Sequence, residues 1–226
     1  NAQLQRSLQR LSSGSRINSS FDDAGGLAVS MKLSASIRRT EATQANVNNA
    51  LSMLQTQDGV LKNAEKILTR LSELAQLSAD VTKSSSDKSL YQTEFGALTS
   101  ALSQLTSEEF NGVSLFSAAG TQINVITSED GAQSVAINQA DLASVVTTSG
   151  SILANITSGA SSADIDTLNT AVQNLATLRA TNGSQQQRMT FAADMLAINK
   201  VNLESANSRI ADVDIASESA NLARFN

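Results

Sequence analysis

Apolar residues that recur every seven positions constrain the fold of this chain more than any other feature of its sequence. They form three adjacent columns: Leu54, Leu61, Leu68 and Ala75; Val60, Ile67, Leu74 and Val81; Ala64 and Leu71. Three columns make a stripe that is wide enough to contact more than one neighbouring helix. The chain has no proline, which would break such a helix. The pattern therefore predicts one long helix from near Gly26 to about Ala79.

A second periodic region predicts another long helix, from near Ala163 to the end of the chain. Its two columns hold Leu168, Leu175, Met189, Leu196, Leu203 and Ile210, and Ala171, Leu178, Ala192, Ala206 and Val213. Asn182 interrupts the first column, and Gln185 and Asn199 interrupt the second. Polar residues at such positions more often specify the register of helix packing than bind ligands.

The segment between the two long helices changes its pattern several times. We expect a loop at residues 80–88, a helix at 89–107, strands at 113–116, 122–127 and 133–138, and a loop or weak strand at 144–162. The expected short helix carries Leu90, Leu98, Leu102 and Leu105 on one side. The predicted fold is mainly α, a long antiparallel helical bundle with a small β-hairpin insert. Its parts are an N-terminal helical part (1–111), a hairpin and loop region (112–162) and a C-terminal long helix that packs back (163–226).

Composition and charge argue against several classes of function. The chain has no histidine and no cysteine, which removes the commonest general base, nucleophile and metal ligands. The paired carboxylates Asp22/Asp23 and Glu108/Glu109 are adjacent in sequence and so diverge. We predict no catalytic residue, no metal site and no cofactor. The net charge of −5 argues against nucleic acid, and no apolar run approaches a membrane-spanning length.

A polar block at residues 11–26 interrupts the N-terminal helical region. It reads LSSGSRINSSFDDAGG. From the residues alone, a helix ends near Leu11, a loop follows, and Asp22 or Asp23 caps the next helix. The block resembles the N-terminal signature of bacterial flagellin, L-S-S-G-x-R-I-N-S-x-x-D-D-A-A-G, and departs from it at Gly25.

Further motifs resemble flagellin in the same order along the chain. They are the stretch 68–75 (LTRLSELA), the triplet 110–112 (FNG), the stretch 178–183 (LRATNG) and the stretch 208–214 (SRIADVD). Ser72 and Ile215 depart from the family pattern. The resemblance identifies the chain as a flagellin core fragment that lacks both terminal coiled-coil segments and any large outer domain.

The resemblance implies a structural subunit of the bacterial flagellar filament, a motility protein and not an enzyme. It implies secretion to the extracellular filament. The expected partners are other flagellin subunits, together with an export apparatus and a chaperone that would act through the missing termini. Subunits of this kind join by heterologous contacts that do not close.

Two groups of residues take candidate roles from the resemblance. Arg16, Asn18, Asp22 and Asp23 are expected to make subunit-facing or loop-fixing contacts, although a solvated loop with a capping aspartate is the simpler interpretation. Arg70, Leu74 and Glu94 match residues by which flagellins contact an innate immune receptor of the Toll-like class. Arg70 and Leu74 are four residues apart, and Glu94 would reach them if its helix folds back.

Three alternatives remain open from the sequence. A hook–filament junction protein shares the N-terminal block and the helical hairpin, although the FNG and SRIADVD motifs resemble flagellin more closely. A flagellin-like cell-surface adhesin would need a binding groove, and the scarcity of Trp and Tyr disfavours sugar stacking. An enzyme would need a site built without His or Cys.

Overall fold

The computed structural model describes residues 2–118 and 121–225. In chain order the described elements are α1 (Ala2–Ser13), α2 (Ala24–Ser78), α3 (Ser85–Leu105), β1 (Glu109–Phe110), β2 (Val113–Ser114), β3 (Gln122–Ile126), β4 (Ser134–Asn138), α4 (Leu142–Gly150), a 3-10 turn (Leu153–Asn155), α5 (Ser162–Ala211) and α6 (Ile215–Phe225). Long packed helices with two small antiparallel hairpins, β1–β2 and β3–β4, confirm the predicted fold class. The three-part domain division stays a prediction, and its outer limits, residues 1 and 226, lie outside the described residues.

The chain divides into two compact units. The first unit comprises Asn1–Val47, Ile126–Ser134 and Ala192–Asn226. The second comprises Asn48–Val125 and Val135–Phe191. Residues 24–47 of α2 and 192–211 of α5 belong to the first unit, and the remaining residues of both helices belong to the second.

The heptad columns account for the core of the second unit. The first column of α2, from Leu54 to Ala75, is at most 1% exposed, and Leu168, Leu175 and Met189 of α5 are buried to the same extent. The prediction fails at Val81, which is 93% exposed. Since α2 ends at Ser78, Val81 no longer follows the helical period that carried its column inward.

Asn182, the residue that interrupts the apolar column of α5, is buried and fully engaged. Its Nδ2 donates to the main-chain oxygen of Leu54 at 3.1 Å and to Gln57 Oε1 at 2.5 Å. Gln57 Nε2 donates in turn to the main-chain oxygen of Leu115 at 2.6 Å, and Gln186 Nε2 donates to Asn182 Oδ1 at 2.5 Å. These directional hydrogen bonds link α5, α2 and Leu115, the residue after β2, and so fix the position of α5 along α2.

The prediction of a loop or weak strand at residues 144–162 is wrong for residues 144–150, because a helix, α4, spans Leu142–Gly150. From 151 to 161 the chain is turn and loop with one 3-10 turn, as a loop prediction allows. Asp141 caps α4 by accepting a hydrogen bond from the Ser144 amide. The Ser and Thr hydroxyls that suggested a loop bond to carbonyls one turn back, as Ser149 Oγ does to the Val145 oxygen at 2.9 Å. Polar side chains that are satisfied within their own helix can be buried, and Ser149 is fully buried.

One helix start, one side-chain position and the continuity of the C-terminal helix also differ from prediction. The helix after α2 begins at Ser85 rather than Ser89, because Ser84 and Asp87 form a reciprocal capping box. Leu90 belongs to this helix but is 70% exposed, so it does not share the buried side of Leu102. The C-terminal helix does not continue unbroken. It ends at Ala211, and α6 begins at Ile215, with its first amides bonded to Asp214 Oδ1.

Candidate functional site

The N-terminal block folds in the first unit as a loop that pairs with the break between α5 and α6. The Arg16 amide donates to the Ala211 oxygen at 2.6 Å, and the Val213 amide donates to the Gly14 oxygen at 3.1 Å. Ser15 lies opposite Asp212 in an antiparallel bridge. Gly14 has a φ of 71°, a left-handed conformation that glycine adopts most easily. The loop is thereby closed onto a segment about two hundred residues away in the chain.

Arg16 reinforces this closure with its side chain. Its Nε and Nη2 donate to the main-chain oxygen of Ile210, at 3.2 and 2.7 Å. That carbonyl belongs to the last turn of α5, where main-chain oxygens lack helical partners and the helix dipole is negative. The guanidinium therefore satisfies an unpaired acceptor and complements the dipole.

Asp22 and Asp23 accept hydrogen bonds from different parts of the chain: Asp22 from the loop and Asp23 from the first turn of α2. Asp22 Oδ2 accepts hydrogen bonds from the amides of Asn18 and Ser19 and from the Ser19 hydroxyl. The Ser19 hydroxyl lowers the pKa of Asp22 most, burial opposes this, and the Asn18 and Ser19 amides lower it further. Asp23 Oδ1 accepts from the Gly26 amide at 2.8 Å and so caps α2. A Cβ at Gly26 would overlap the Asp23 carboxylate in the position from which it caps α2, so the cap and a larger residue at 26 compete for the same space.

A cavity of about 290 Å³ lies beside this loop, lined by Arg10, Arg16, Ile17, Asp22 and Asp23. Within the described residues, Arg10 Nε and Asn18 Nδ2 are buried polar atoms without a hydrogen-bond partner. The lining carries two cations and two carboxylates, so its charges balance. The structure thus brings all four signature residues, Arg16, Asn18, Asp22 and Asp23, to one loop.

The second candidate group centres on Arg70 in the second unit. Arg70 Nε donates to Glu94 Oε1 at 2.7 Å and Nη2 donates to Glu94 Oε2 at 3.2 Å, a two-point contact between α2 and α3. Nη1 donates to Glu73 Oε2 at 2.9 Å. These bonds, to Glu94 first and then to Glu73, raise the pKa of Arg70 above its ordinary value. Leu74 is fully buried, whereas the Arg70 and Glu94 side chains are each 44% exposed.

Sequence reasoning missed other polar contacts. In the first unit, Glu129 of the β3–β4 turn accepts a hydrogen bond from the Ser36 hydroxyl and pairs with Arg39 at 3.5 Å. In the second unit, Arg179 pairs with Asp58 at 3.3 Å and with Glu65 at 2.5 Å. The partners lie about 90 to 120 residues apart, so no local pattern could have indicated them.

Residues 2–118 and 121–225 hold no group of three or more His, Cys, Asp or Glu side chains placed to bind a metal ion. None of the helices described in these ranges is sufficiently long and apolar to cross a membrane.

The fold and these contacts define a class of protein, a helical scaffold in which polar side chains cap helices, close loops and join helices. Two family models match the chain, the bacterial flagellin N-terminal helical region over residues 1–121 and the bacterial flagellin C-terminal helical region over residues 165–226. The chain belongs to the bacterial flagellin family, whose members are structural filament proteins and not enzymes.

Individual relatives agree with this assignment. The flagellar filament 30.7 kDa core protein of Treponema maltophilum is 34% identical over 96% of this chain and 82% of its own length. The flagellin of Bacillus subtilis is 30% identical over the whole chain and 86% of its own length. Both are similar to this chain across both predicted long helices and the segment between them.

Solved structures share the fold. The Bacillus cereus flagellin crystal structure has a TM-score of 0.57 at 24% identity, covering 67% of this chain and 88% of that one. A putative flagellar hook-associated protein from Vibrio parahaemolyticus has a TM-score of 0.72 at 13% identity, covering 84% of this chain and all of that one. Both likenesses concern the fold alone. The hook–filament junction alternative is not favoured.

We predict that Arg16→Ala loosens the loop closure locally and lowers the free energy of unfolding by less than about 1 kcal/mol, because an exposed cation at a helix C-terminus contributes no more than that. Amide hydrogen exchange should accelerate at residues 14–16 and 210–213. Arg16→Lys, which keeps the charge but loses the two-point contact, should lie between Arg16→Ala and the unchanged chain. A loss of several kcal/mol in Arg16→Ala would instead assign Arg16 to the global fold.

Proposed function

We propose that this chain is a structural subunit of the bacterial flagellar filament and that other copies of flagellin are its partners. Membership of a family whose relatives are named as filament core proteins supports this proposal. The function requires no reaction centre. It requires surfaces that bind neighbouring subunits repeatedly along a helical polymer.

The observation that carries the proposal is an apolar stripe on α5 in the first unit. Met195, Ile198 and Val201 are 61%, 63% and 62% exposed. Their three-residue spacing keeps them within about 120° of the helix circumference. A group of exposed apolar side chains on one face lies at an interaction surface more often than other parts of a protein surface do. In a filament subunit, the molecule that covers such a group is a second copy.

The test substitutes residues of this stripe in the full-length protein, which is expressed in a bacterium that lacks its own flagellin. Met195→Ser/Ile198→Ser should abolish or shorten filaments in electron micrographs and reduce swimming. Its circular dichroism and thermal midpoint should stay close to those of the unchanged protein, since the two side chains are largely exposed already.

Gln173→Ser/Thr177→Ser is the matched control, because it places two serines at exposed polar positions of the same helix. This control should assemble normally. Filaments of normal length from the Met195→Ser/Ile198→Ser variant would remove the stripe as a subunit contact. Failure of the unchanged protein to form filaments would remove the proposed function itself.

The same proposal includes the route and location of the chain. A filament subunit is exported through the flagellar apparatus, held by a chaperone before export, and resides outside the cell. Detection of the chain in sheared extracellular filaments, and its retention in the cytoplasm when the export apparatus is inactivated, tests this part separately.

A second candidate function is recognition by a Toll-like innate immune receptor, carried by the Arg70–Glu94 contact. The guanidinium has five N–H donors, of which three are used by Glu94 and Glu73. One donor on each terminal nitrogen stays free. A group that is held in place by its neighbours loses little entropy when a receptor binds it.

The spacing of Leu74 from Arg70 predicted that Leu74 contacts the receptor, but we propose another role for this side chain. It is fully buried beneath the surface that bears Arg70. We therefore assign direct receptor contact to Arg70 and Glu94, and assign to Leu74 the support of α2 under them.

Arg70→Ala should weaken binding to the receptor ectodomain at least about tenfold, as truncation of a central arginine does at many interfaces. Surface plasmon resonance with the monomeric protein measures this. Lys62→Ala is the control, because it removes an exposed cation two turns away on the same helix and should change affinity little. Equal losses in the two variants would indicate general electrostatic attraction, and no binding by the unchanged chain would end the receptor proposal.

A further inference from the structure

The dipeptide Asn-Gly occurs twice in the chain, at 111–112 and at 182–183. Its chemistry is special because glycine has no side chain to shield its main-chain nitrogen. That nitrogen can attack the side-chain amide carbon of the preceding asparagine. The structure places the two dipeptides in opposite environments.

The first dipeptide forms the two-residue turn between β1 and β2. Asn111 has a φ of 52° and Gly112 a φ of 76°, as the turn between directly paired strands requires. The flanking pairs are Phe110 with Val113 and Glu109 with Ser114, so each strand has only two residues. Asn111 is exposed, and among the described residues no main-chain hydrogen bond engages the Gly112 amide.

The second dipeptide lies in the middle of the fifty-residue helix α5. Asn182 is 2% exposed, and its Nδ2 is held by the Leu54 oxygen and Gln57 Oε1. The main-chain amide of Gly183 donates a hydrogen bond within the helix. Attack on the Asn182 side chain would require the buried polar contacts and the helix to open together.

We propose that Asn111 is a site of spontaneous deamidation and isoaspartate formation, and that Asn182 is protected. The Gly112 nitrogen bonds to Asn111 Cγ while its proton passes to water. The Cγ–Nδ2 bond breaks as Nδ2 takes a proton from water, so that the side-chain nitrogen leaves as ammonia. The five-membered imide that results then adds water at one of its two carbonyl carbons. Opening at one carbon yields aspartate, and opening at the other yields isoaspartate.

The site is kinetically accessible because little structure must open. The required rotation of the Asn111 backbone disturbs one two-residue turn and two pairs of strand residues, and such short elements open at low free energy. In the helix the same rotation would break successive hydrogen bonds and a buried amide network.

The isoaspartyl product changes the hairpin. It adds one methylene to the main chain within a turn whose geometry sets the β1–β2 register. It also adds a negative charge next to Glu108 and Glu109, which are both exposed. The hairpin then loses its register, while helices α2 and α5 keep theirs.

The test incubates the folded chain in mildly alkaline buffer and digests samples with pepsin at acidic pH, which stops further reaction. Mass spectrometry should show replacement of the amide nitrogen by oxygen at Asn111, at a rate at least about tenfold higher than at Asn182. The Asn111→Asp variant supplies the aspartyl reference peptide, so that an isoaspartyl peptide of equal mass is recognised by its different retention.

The same chain in concentrated urea is the matched control, because both dipeptides then have the same local sequence chemistry without the fold. Asn182 should now react at a rate comparable to that of Asn111. Equal rates in the folded chain, or an unreactive Asn111 in a folded chain whose urea control reacts, would overturn the proposal. This outcome is independent of filament assembly.

Discussion

Leu102→Ala should lower the free energy of unfolding by about 2–5 kcal/mol. Leu102 lies in α3 and is fully buried in the second unit. Truncation removes apolar contacts and leaves a cavity that the surrounding helices fill only in part, which sets the size of the loss. Chemical denaturation followed by circular dichroism measures it, with the midpoint rather than the slope expected to change.

Leu90→Ala is the matched control, since it makes the same substitution in the same helix at a side chain that is 70% exposed. It should change the free energy of unfolding by no more than about 0.5 kcal/mol. The pair is informative because periodicity alone assigned both leucines to one side. Similar losses in the two variants would show that Leu90 is buried in solution, contrary to the structure.

Asn182→Ala should lower the free energy of unfolding by about 1–3 kcal/mol, although it replaces a polar core residue by an apolar one. The reason is the loss of partners, because the Leu54 oxygen and Gln57 Oε1 would each lose a hydrogen bond in a buried position. Half-buried Gln186 Nε2 would also lose its bond to Asn182 Oδ1. Thermal or urea unfolding gives the value. The loss should fall when Gln57 is also replaced by leucine, since fewer buried polar groups then remain unpaired.

Asn174→Ala provides the comparison for Asn182, because Asn174 is exposed on the same helix. It should leave stability unchanged or raise it slightly, since alanine favours a helix more than asparagine does. If Asn182→Ala were equally harmless, water would be reaching the partners, and the amide network would not specify the alignment of α5 and α2.

Local patterns predicted the elements that depend on local physics. The bounds of α2 were predicted within two residues, because its apolar period, caps and lack of proline all lie in the segment itself. The helix α4 was mistaken for a loop or strand, because Ser and Thr favour loops when considered alone. Their hydroxyls bond within the helix, and the burial of Leu142 and Val145 outweighs their low helix propensity.

In the candidate sites, too, local sequence indicated some contacts and tertiary packing decided the others. Asp23 was recognised as a possible cap from its position before α2, and the structure confirms that contact. The approach of Glu94 to Arg70 was expected only on the condition that α3 folds back. No local pattern in the sequence indicates Glu73 as a third member of this group or the burial of Leu74 under it.

The sequence by itself determined the helical class, the two long apolar faces, the family and the absence of His and Cys chemistry, because these properties reside in residue types and their spacing. Only the tertiary structure decided that Arg16 closes the N-terminal loop on Ile210, that Asn182 bonds to α2, and that Asn111 is open while Asn182 is enclosed. The first two of these contacts join residues more than a hundred positions apart, and the third distinguishes two identical dipeptides. Such differences arise from how elements pack, which a local pattern does not contain.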